Sequence, residues 1–482
     1  MFKRFSAVLI AAMMLLLAAA PALAKTETPQ DVHIGERRSV EARAAHENKD
    51  NGMTVRDAYF GGDYYTVLSF LESRDSDGVK HGYKINPDYD SDDPETWYSI
   101  EYNEEEDEYY VTKGFTLWAQ SGGYWHLDWC NIKGMGFEGT LNLKDCEFLE
   151  FLDCSDNDLT SVKISNCQKL SQLDCSCNRI TSIEGLSGCS ELTYLDCSNC
   201  NITGPINFGA KFKLVYMDLS NNNLEELNVY SFFKALKYLF CDNNALRSLR
   251  FHDCPALMLV SAGGNELTDV SFSYTTAIRF LDLRDNALTH INLSSLASLQ
   301  SLDLIGNELT EMDLSANTEL EEVGLLDNPL TEIDLSNCPL IPRDMIKSEG
   351  NGTVGYLYYQ EYNENGDVAN VVELAAAYPG DGERFAGWYG EDGTPLYFDP
   401  EFDLSECGEA QLTARFGEPG SIPGDADGNG IVDTTDALLV LRAALNIDGD
   451  PAALLSNCDM DGNGIIDTTD ALLILRLALG IS

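Results

Sequence analysis

Apolar residues recur with a regular period through the middle of the chain. The pattern that begins Leu149-x-x-Leu-x-Cys-x-x-Asn-x-Leu159 returns every 21 or 22 residues. A period in this range predicts stacked structural repeats, each of which forms a short strand followed by a turn. The strands of neighbouring repeats would then lie parallel and build a curved sheet. About nine such repeats fit between residues 141 and 342, which is enough for a continuous hydrophobic core.

An asparagine keeps the same position in almost every repeat. This ladder consists of Asn157, Asn178, Asn222, Asn244, Asn265, Asn286, Asn307 and Asn328. Its side chains are expected to satisfy backbone groups in the turns, where a missing partner costs roughly 1–3 kcal/mol. Cys200 takes the place of asparagine in the third repeat, so that repeat is predicted to be a local weak point.

The segments on either side of the repeats have different patterns. Asp63–Glu72 has helical spacing, and we interpret residues 25–140 as an N-terminal cap region. Between residues 350 and 417, apolar and polar residues alternate around Asn365-Gly366, a dipeptide typical of β-hairpin turns. This alternation predicts a small separate β module, followed by a Pro/Gly linker at residues 418–424.

Two helices are predicted near the C-terminus, at Ala437–Leu445 and Ala471–Leu479. Both are apolar nearly all round, and a helix of this kind needs burial on two sides. The other helix can cover one side, and the second side requires a partner. Pro419 and Pro423 exclude a further helix ahead of the first acidic segment, at residues 418–424. We therefore expect these two helices alone in residues 425–482.

The chain begins with the features of an export signal. A basic start is followed by an apolar core and by Ala22-Leu23-Ala24, so we interpret residues 1–24 as a signal peptide. No later stretch is apolar for long enough to span a bilayer, which predicts a secreted, soluble protein. The net charge of −48 argues against nucleic acids and anionic membranes as partners.

Most of the fourteen cysteines also follow the repeat. Cys154, Cys175, Cys197 and Cys241 share one repeat position, and Cys146, Cys167, Cys189, Cys254 and Cys338 share another. A residue type that recurs with a structural period is usually a core side chain, and cysteine behaves as a small buried hydrophobe. We therefore favour reduced, stacked thiols over the alternative, a disulfide framework of the kind common in exported proteins.

One acidic, twelve-residue motif occurs twice in the sequence, at residues 425–436 and at residues 459–470. In each copy, oxygen-bearing side chains occupy positions 1, 3, 5, 9 and 12 of a twelve-residue loop, and glycine occupies position 6. This is the spacing of a calcium loop, in which position 7 ligates through its carbonyl oxygen. Carboxylates so close together repel one another unless a cation lies between them. The predicted ligands of two calcium ions are Asp425, Asp427, Asn429, Ile431, Asp433 and Asp436, and Asp459, Asp461, Asn463, Ile465, Asp467 and Asp470.

The two loops, with the helices that follow them, resemble a dockerin. The resemblance covers residues 425–482 and implies an all-α, calcium-binding module that docks onto a cohesin module of a scaffold protein. In that family partner choice rests on two loop positions and two helix positions. These correspond to Thr434, Thr435, Leu441 and Arg442 in the first copy and to Thr468, Thr469, Leu475 and Arg476 in the second. Because the copies are nearly identical, we hypothesise that either of them can face the cohesin.

The consensus sequence of the repeats resembles that of bacterial extracellular leucine-rich repeats. This resemblance implies an α/β solenoid with a concave binding face. The aromatic residues expected on that face are Phe151, Tyr194, Tyr216, Tyr238, Phe240 and Phe280. A row of rings edged by carboxylates suits a glycan or a protein ligand such as a basic peptide. The alternative is that the rings pack on one another as a strand ladder.

Within the β module, the motif Phe385-Ala-Gly-Trp-Tyr389 resembles part of the β-grasp-like repeat of internalin-type surface proteins. That resemblance implies a spacer or a binding stalk between the repeats and the tail. The chain lacks a Gly-x-Ser-x-Gly elbow, a His-Glu-x-x-His zinc helix and a phosphate-binding loop. No catalytic residue is therefore assigned from sequence motifs.

The sequence thus predicts a secreted, non-catalytic, multi-domain binding protein. Its parts are a leucine-rich-repeat solenoid, a small β-grasp-like module and a dockerin. The expected setting is plant polysaccharide degradation or cell-surface assembly on a cohesin-bearing scaffold. The alternative is a polysaccharide hydrolase or a protease with an unrecognised catalytic region, because many dockerin carriers are hydrolases of plant polysaccharides.

Overall fold

The computed structural model describes residues 38–39, 62–91, 96–103, 108–119, 125–362, 368–397, 399–404, 407–417, 423–428 and 432–479. The predicted signal peptide and most of the predicted linker lie outside these residues. The chain divides into two compact units, Met1–Ile278 and Arg279–Ser482. Each unit has its own helices and strands and is described by itself.

The described residues of the first unit form two α-helices and sixteen strands. The helices are α1 (Gly62–Glu72) and α2 (His81–Ile85). The strands are β1 (Arg38–Ser39), β2 (Tyr98–Asn103), β3 (Glu108–Ala119), β4 (Trp125–Asn131), β5 (Glu138–Asn142), β6 (Phe151–Asp153), β7 (Asp158–Lys163), β8 (Gln172–Asp174), β9 (Ile183–Glu184), β10 (Tyr194–Asp196), β11 (Tyr216–Asp218), β12 (Leu227–Val229), β13 (Tyr238–Phe240), β14 (Ser248–His252), β15 (Leu259–Ser261) and β16 (Asp269–Ser273).

Most strands of the first unit belong to one sheet. From β4 onward, β6, β8, β10, β11, β13 and β15 pair in parallel, so that each step along the sheet is one repeat. The antiparallel strands β1, β2 and β3 extend the sheet before β4. Two shorter parallel sheets, β5-β7-β9 and β12-β14-β16, form from the second strands of the repeats. The predicted leucine-rich-repeat solenoid is confirmed by this topology.

The asparagine ladder connects neighbouring repeats. Asn178 Nδ2 donates to the carbonyl oxygens of Cys154 and Cys175 at 2.9 and 3.0 Å. Its Oδ1 accepts a hydrogen bond from the backbone N–H of Leu159 at 2.9 Å. At the same position in the next repeat, the Cys200 thiol donates to the Cys175 carbonyl at 3.3 Å. A thiol is a weak donor, so Cys200 replaces a strong amide contact with a weak one.

All fourteen cysteines are free thiols, and all but Cys177 and Cys407 are buried. Cys175 Sγ lies 3.4 Å from Cys197 Sγ, directly after two strands that pair in register. Parallel strands lie about 4.8 Å apart, whereas a disulfide brings two Cβ atoms to about 3.5–4.5 Å. The register of the repeats therefore favours stacked thiols over cross-strand disulfides.

The described residues of the second unit form three α-helices and eleven strands. The helices are α3 (Thr434–Ala444), α4 (Pro451–Cys458) and α5 (Thr468–Ala478). The strands are β17 (Phe280–Asp282), β18 (Ser301–Asp303), β19 (Glu322–Gly324), β20 (Glu332–Asp334), β21 (Met345–Glu349), β22 (Gly352–Tyr362), β23 (Val368–Pro379), β24 (Arg384–Tyr389), β25 (Pro395–Tyr397), β26 (Glu401–Asp403) and β27 (Gln411–Gly417). Within the described part of the chain, no helix has the length and hydrophobicity needed to cross a bilayer.

The strands after residue 344 continue the sheets of the last repeats. β17, β18 and β19 pair in parallel, and β22 then joins β19 in antiparallel orientation, followed by β23 and β26. The repeat strand β20 pairs with β21, which in turn pairs with β27. A β-grasp module is not confirmed, because residues 345–417 divide between two sheets. The predicted hairpin turn at Asn365-Gly366 lies outside the described residues.

A buried ion pair holds these strands against the last repeats. Arg343 Nε donates to Glu373 Oε1 at 2.6 Å, and Arg343 Nη2 donates to the Leu404 carbonyl at 2.9 Å. The Tyr356 hydroxyl donates to the same Glu373 oxygen at 2.8 Å. A buried ion pair is tolerated only when further hydrogen bonds satisfy both charges, and this cluster supplies them.

Candidate calcium loops, docking helices and ring ladder

Each acidic loop leads directly into a helix that its own carboxylates cap. The Asp433 side chain accepts from the backbone N–H of Thr435, and Asp436 Oδ2 accepts from the N–H of Asp433 at 2.8 Å. Asp467 and Asp470 form the same reciprocal arrangement at the start of α5. This capping box fixes the carboxylate at loop position 12 in both copies.

Three carboxylates of each loop converge. The two triads are Asp425, Asp427 and Asp436, and Asp459, Asp461 and Asp470, and the potential ligand oxygens of each triad lie within 4.8 Å of one another. Asp436 and Asp470 are completely buried. Burying an ionised carboxylate costs several kcal/mol unless a positive charge offsets it. Residues 423–479 contain ten Asp but only two basic side chains, and one of these, Arg442, pairs with the exposed Asp448.

The donor set fits calcium. Ca²⁺ takes oxygen ligands at about 2.3–2.6 Å, so two ligands of one ion lie no more than about 5 Å apart, as the oxygens of each triad do. Gly464 at loop position 6 has φ of +80°, and its N–H donates to Asp459 Oδ2 at 2.8 Å. Asn463 Nδ2 contacts Asp461 at 2.9 Å, and Ile465 lies exposed in the same loop. In the first copy Asn429 and Ile431 lie outside the described residues.

The helices α3 and α5 share an apolar core and leave further leucines uncovered. Val440, Ile474 and Cys458 are completely buried in that core. The exposed leucines on or next to the two helices are Leu438, Leu439 and Leu445 in the first copy and Leu472, Leu475 and Leu479 in the second. A row of exposed leucines on a small domain marks an interaction surface, which agrees with the prediction that both helices need a partner.

The predicted partner-contact residues are brought together on the two helices. All four threonines, Thr434, Thr435, Thr468 and Thr469, are exposed at the helix starts. Leu441 is half-buried against the core, whereas the equivalent Leu475 is exposed. Arg442 contacts Asp448, and Arg476 is exposed. The two copies therefore present similar but not identical surfaces.

The expectation of only two helices in the tail is wrong, because α4 lies between them. The Asp450 side chain caps this helix by accepting from the N–H of Ala452 at 3.0 Å, and Pro451 lies in its first turn. An Asp-Pro pair is a recognised helix start, so the sequence did contain the signal. The helix ends at Cys458, immediately before the second acidic loop.

On the sheet of the repeats, two of the predicted ligand-face tyrosines pack on each other. The Tyr194 and Tyr216 rings stack with centroids 4.7 Å apart, and the Phe240 ring lies 5.5 Å from that of Tyr216. The tyrosine hydroxyls donate to Asp196 and Asp218, both at 3.4 Å. These contacts are the ones expected if the rings pack on one another along neighbouring strands, which is the alternative to a ligand-binding face.

The other ring positions differ in exposure and contact. Phe151 stacks on Trp129 at 5.7 Å between centroids. Tyr238 is half-buried in the first unit, and Phe280 is half-buried in the second. The rings therefore do not form one continuous exposed row.

Aspartates lie beside the rings in register from strand to strand. Asp174 pairs with Asp153 on one side and Asp196 on the other, and Asp196 pairs with Asp218. Burial, together with the charge of Asp196, raises the pKa of Asp174 to about 6. Burial, together with the charge of Asp218, raises the pKa of Asp196 to about 6. Asp174 and Asp196 thus become protonated well above the usual range for aspartate.

Two protein families match segments of the chain. The Leucine Rich repeats (2 copies) family matches residues 147–188 and 168–208, and the Dockerin type I domain family matches residues 423–477. The chain therefore carries leucine-rich repeats and a C-terminal type I dockerin. Both of these domains are non-catalytic, dockerins bind calcium, and a dockerin implies a cohesin partner. No curated protein is detectably similar to the chain.

The solved structures that match this chain include three proteins of bacteria. The functional domain of InlJ from Listeria monocytogenes, which includes a cysteine ladder, is 20% identical, with a TM-score of 0.39, over 56% of this chain and 72% of that one. An internalin, InlF, from the same organism is 14% identical, with a TM-score of 0.28, over 60% of this chain and 94% of that one. A leucine-rich-repeat protein of Leptospira interrogans is 18% identical, with a TM-score of 0.35, over 40% of this chain and 53% of that one.

Proposed function

We propose that this chain is an exported, non-catalytic binding protein. Its dockerin docks onto a cohesin-bearing scaffold, and its repeats engage a protein or glycan ligand. The proposed setting is plant polysaccharide degradation or cell-surface assembly. The observation that carries the docking role is the pair of carboxylate triads, each of which has a fully buried member at the start of a helix with uncovered leucines.

The proposed docking mechanism links the triads to the helix surface. Asp425, Asp427 and Asp436 would hold one calcium ion, and the equivalent residues of the second copy would hold another. The ion would supply the positive charge that allows the converging carboxylates, including the buried Asp436 and Asp470, to stay ionised side by side. Because Asp436 also caps α3, holding the triad together orders the first turn of that helix. Thr434 and Thr435 are then presented beside the exposed leucines.

The proposed ligand face of the repeats is carried by Tyr238 and its neighbours. Tyr238 is half-buried, so part of its ring is accessible, while Tyr194 and Tyr216 would contribute mainly a supporting stack. The aspartates beside them would favour a ligand with hydrogen-bond donors or positive charge. A glycan and a basic peptide both meet this description.

The docking role can be tested by titrating a panel of cohesin modules into the full chain in calcium buffer. The variants are Thr434→Ala/Thr435→Ala, Thr468→Ala/Thr469→Ala and the combination of all four. If either copy can bind the cohesin, each double variant should weaken binding only about twofold, because one of two binding orientations is lost. The fourfold variant should abolish binding. Thr276→Ala, which changes an exposed threonine of the repeats, serves as the control.

Loss of binding after changing one pair alone would show that the copies are not equivalent. Full binding by the fourfold variant would remove the threonines from the contact surface. Absence of binding to every cohesin of the panel would contradict the docking role itself.

A further inference from the structure

Within the repeats of the first unit, the exposed aromatic residues lie along one edge. Between residues 126 and 278, the exposed large hydrophobic side chains are Phe212, Tyr230, Phe232 and Tyr274. Tyr230 and Tyr274 directly follow strands β12 and β16, and the exposed His252 ends β14 between them. We call the set Phe212, Tyr230, Phe232, His252 and Tyr274 the aromatic edge.

Contacts between neighbouring repeats join the aromatic edge into a row. The Phe212 and Phe232 rings lie 6.2 Å apart, and the His252 and Tyr274 rings lie 5.7 Å apart. The Cys254 thiol donates to the Tyr230 carbonyl at 3.7 Å, which places the backbone of Tyr230 beside the repeat that carries His252. The row therefore crosses successive repeats.

Tyr274 adopts a left-handed backbone conformation, and the equivalent position of other repeats is occupied by aspartate or asparagine. Its φ is +54°, and the equivalent turns use Asp145, Asn166 and Asp253, with φ of +69°, +69° and +56°. Asp and Asn tolerate this left-handed region, whereas a bulky aromatic residue is disfavoured there. The Tyr274 side chain is 77% exposed, so little packing offsets the strain. Backbone strain that is not offset by packing is often found at functional sites.

The surroundings of the aromatic edge are nearly neutral. Residues 205–275 contain seven acidic and six basic residues, a net charge of −1, in a chain whose total is −48. Two exposed basic residues near the rings are paired, Arg250 with Asp269 at 2.9 Å and Lys234 with Asp253 at 3.2 Å. Asn228 and Ser273 add exposed neutral hydrogen-bonding groups on the same strands.

We propose that the aromatic edge binds a neutral, extended polysaccharide chain. Aromatic rings offer apolar faces to the C–H faces of sugar rings, and neutral polar groups beside them can bond to the hydroxyls. A neutral polymer is not repelled by the strongly acidic chain, as an anionic polymer would be. Protein contacts concentrate their energy in a compact centre, whereas a row of rings that crosses successive repeats suits a linear ligand. The proposal deepens the ligand role of the repeats and places that role on a second surface.

The test is affinity electrophoresis of the full chain through gels that contain soluble β-glucan, galactomannan or arabinoxylan, with polygalacturonate as an anionic comparison. The variant Phe212→Ala/Phe232→Ala/Tyr274→Asn removes three exposed rings, and asparagine keeps the left-handed turn at residue 274. Tyr65→Ala is the matched control, since Tyr65 is 57% exposed on α1 and lies outside the aromatic edge. Thermal unfolding of each variant verifies that the fold is retained.

We expect at least one neutral polymer to retard the chain, the triple variant to bind it at least tenfold more weakly, and the control to be unchanged. Chelator should leave this retardation intact, which separates a failure of the aromatic edge from a failure of docking. Retardation that survives in the triple variant would overturn the proposal. Absence of retardation in all three neutral polymers would also overturn it and would make a protein the partner to search for.

Discussion

The rings of Tyr194 and Tyr216 stack face to face, with centroids 4.7 Å apart and planes inclined by 7°. Each ring comes from the same position of a neighbouring repeat, since the two residues pair in register. The stack therefore belongs to the packing of the repeats themselves. It limits how much of these two rings a ligand can reach.

Truncating Tyr216 should destabilise the repeats. The ring contacts both Tyr194 and Phe240. Replacing a fully buried aromatic side chain with alanine costs about 3–5 kcal/mol, so we expect about 3 kcal/mol for this half-buried ring. Urea unfolding followed by tryptophan fluorescence measures this, because the dockerin contains no tryptophan. Tyr238→Ala is the matched comparison, and it should cost less. Equal losses for the two variants would argue that the stack contributes nothing.

The stability of the repeats should depend on pH through Asp174 and Asp196. Their pKa values are raised to about 6 in the folded chain, above the ordinary value of 3.8, so the folded state binds more protons than the unfolded state in this interval. The free energy of unfolding should therefore be highest at low pH and fall as the pH rises through about 6. Urea midpoints between pH 4.5 and 7.5 measure this dependence.

The double variant Asp174→Asn/Asp196→Asn is the control for that experiment. It should be more stable than the natural chain at pH 7, and its midpoint should vary less with pH. A natural chain whose stability rises steadily from pH 4.5 to 7.5 would contradict the assignment of raised pKa values.

Restoring asparagine at position 200 should stabilise the repeats. The Asn178 side-chain amide donates hydrogen bonds to the carbonyl oxygens of Cys154 in the preceding repeat and Cys175 in its own repeat, whereas the Cys200 thiol donates weakly to the Cys175 carbonyl. We expect Cys200→Asn to gain about 1 kcal/mol in the free energy of unfolding, as read from the urea midpoint. Cys200→Ala, which lacks any donor, should lose stability. A loss in Cys200→Asn would mean that the thiol is the better fit in this turn.

Thiol chemistry should distinguish a reduced core from a disulfide framework. In the native chain only the exposed Cys177 is expected to react rapidly with an aromatic disulfide reagent, and the half-buried Cys407 more slowly. Burial raises the pKa of thiols such as Cys154 and Cys241 well above the usual range, which keeps them unreactive. In denaturant without reductant, all fourteen should titrate. A count below fourteen would reveal disulfides.

The repeats and the calcium triads could be predicted because their signals are local. A repeat of 21 or 22 residues places Leu173 and Leu195 in the core of successive strands. Likewise, the spacing within twelve residues is enough to bring Asp425 and Asp436 together. In both cases the chain between the partners is short, so the pattern of residues determines the contact.

What the sequence did not reveal depends on distant contacts. Strands β21 and β27 pair although 66 residues separate Glu349 from Arg415, and such contacts connect residues 345–417 to the sheets of the last repeats. The buried pair Arg343–Glu373 is a further contact of this kind. Exposure is equally hard to read, because the sequence does not show that Tyr194 is buried in a ring stack whereas Tyr274 projects into solvent.

The central claim is that docking requires the carboxylate triads to hold calcium. Calorimetric titration of a matched type I cohesin into the full chain, first in calcium and then in excess chelator, tests it most directly. We expect tight binding in calcium, none in chelator, recovery when calcium is restored, and strong weakening in Asp436→Asn/Asp470→Asn, with the exposed Asp381→Asn as an unaffected control. Equal affinity in calcium and in chelator would contradict the account.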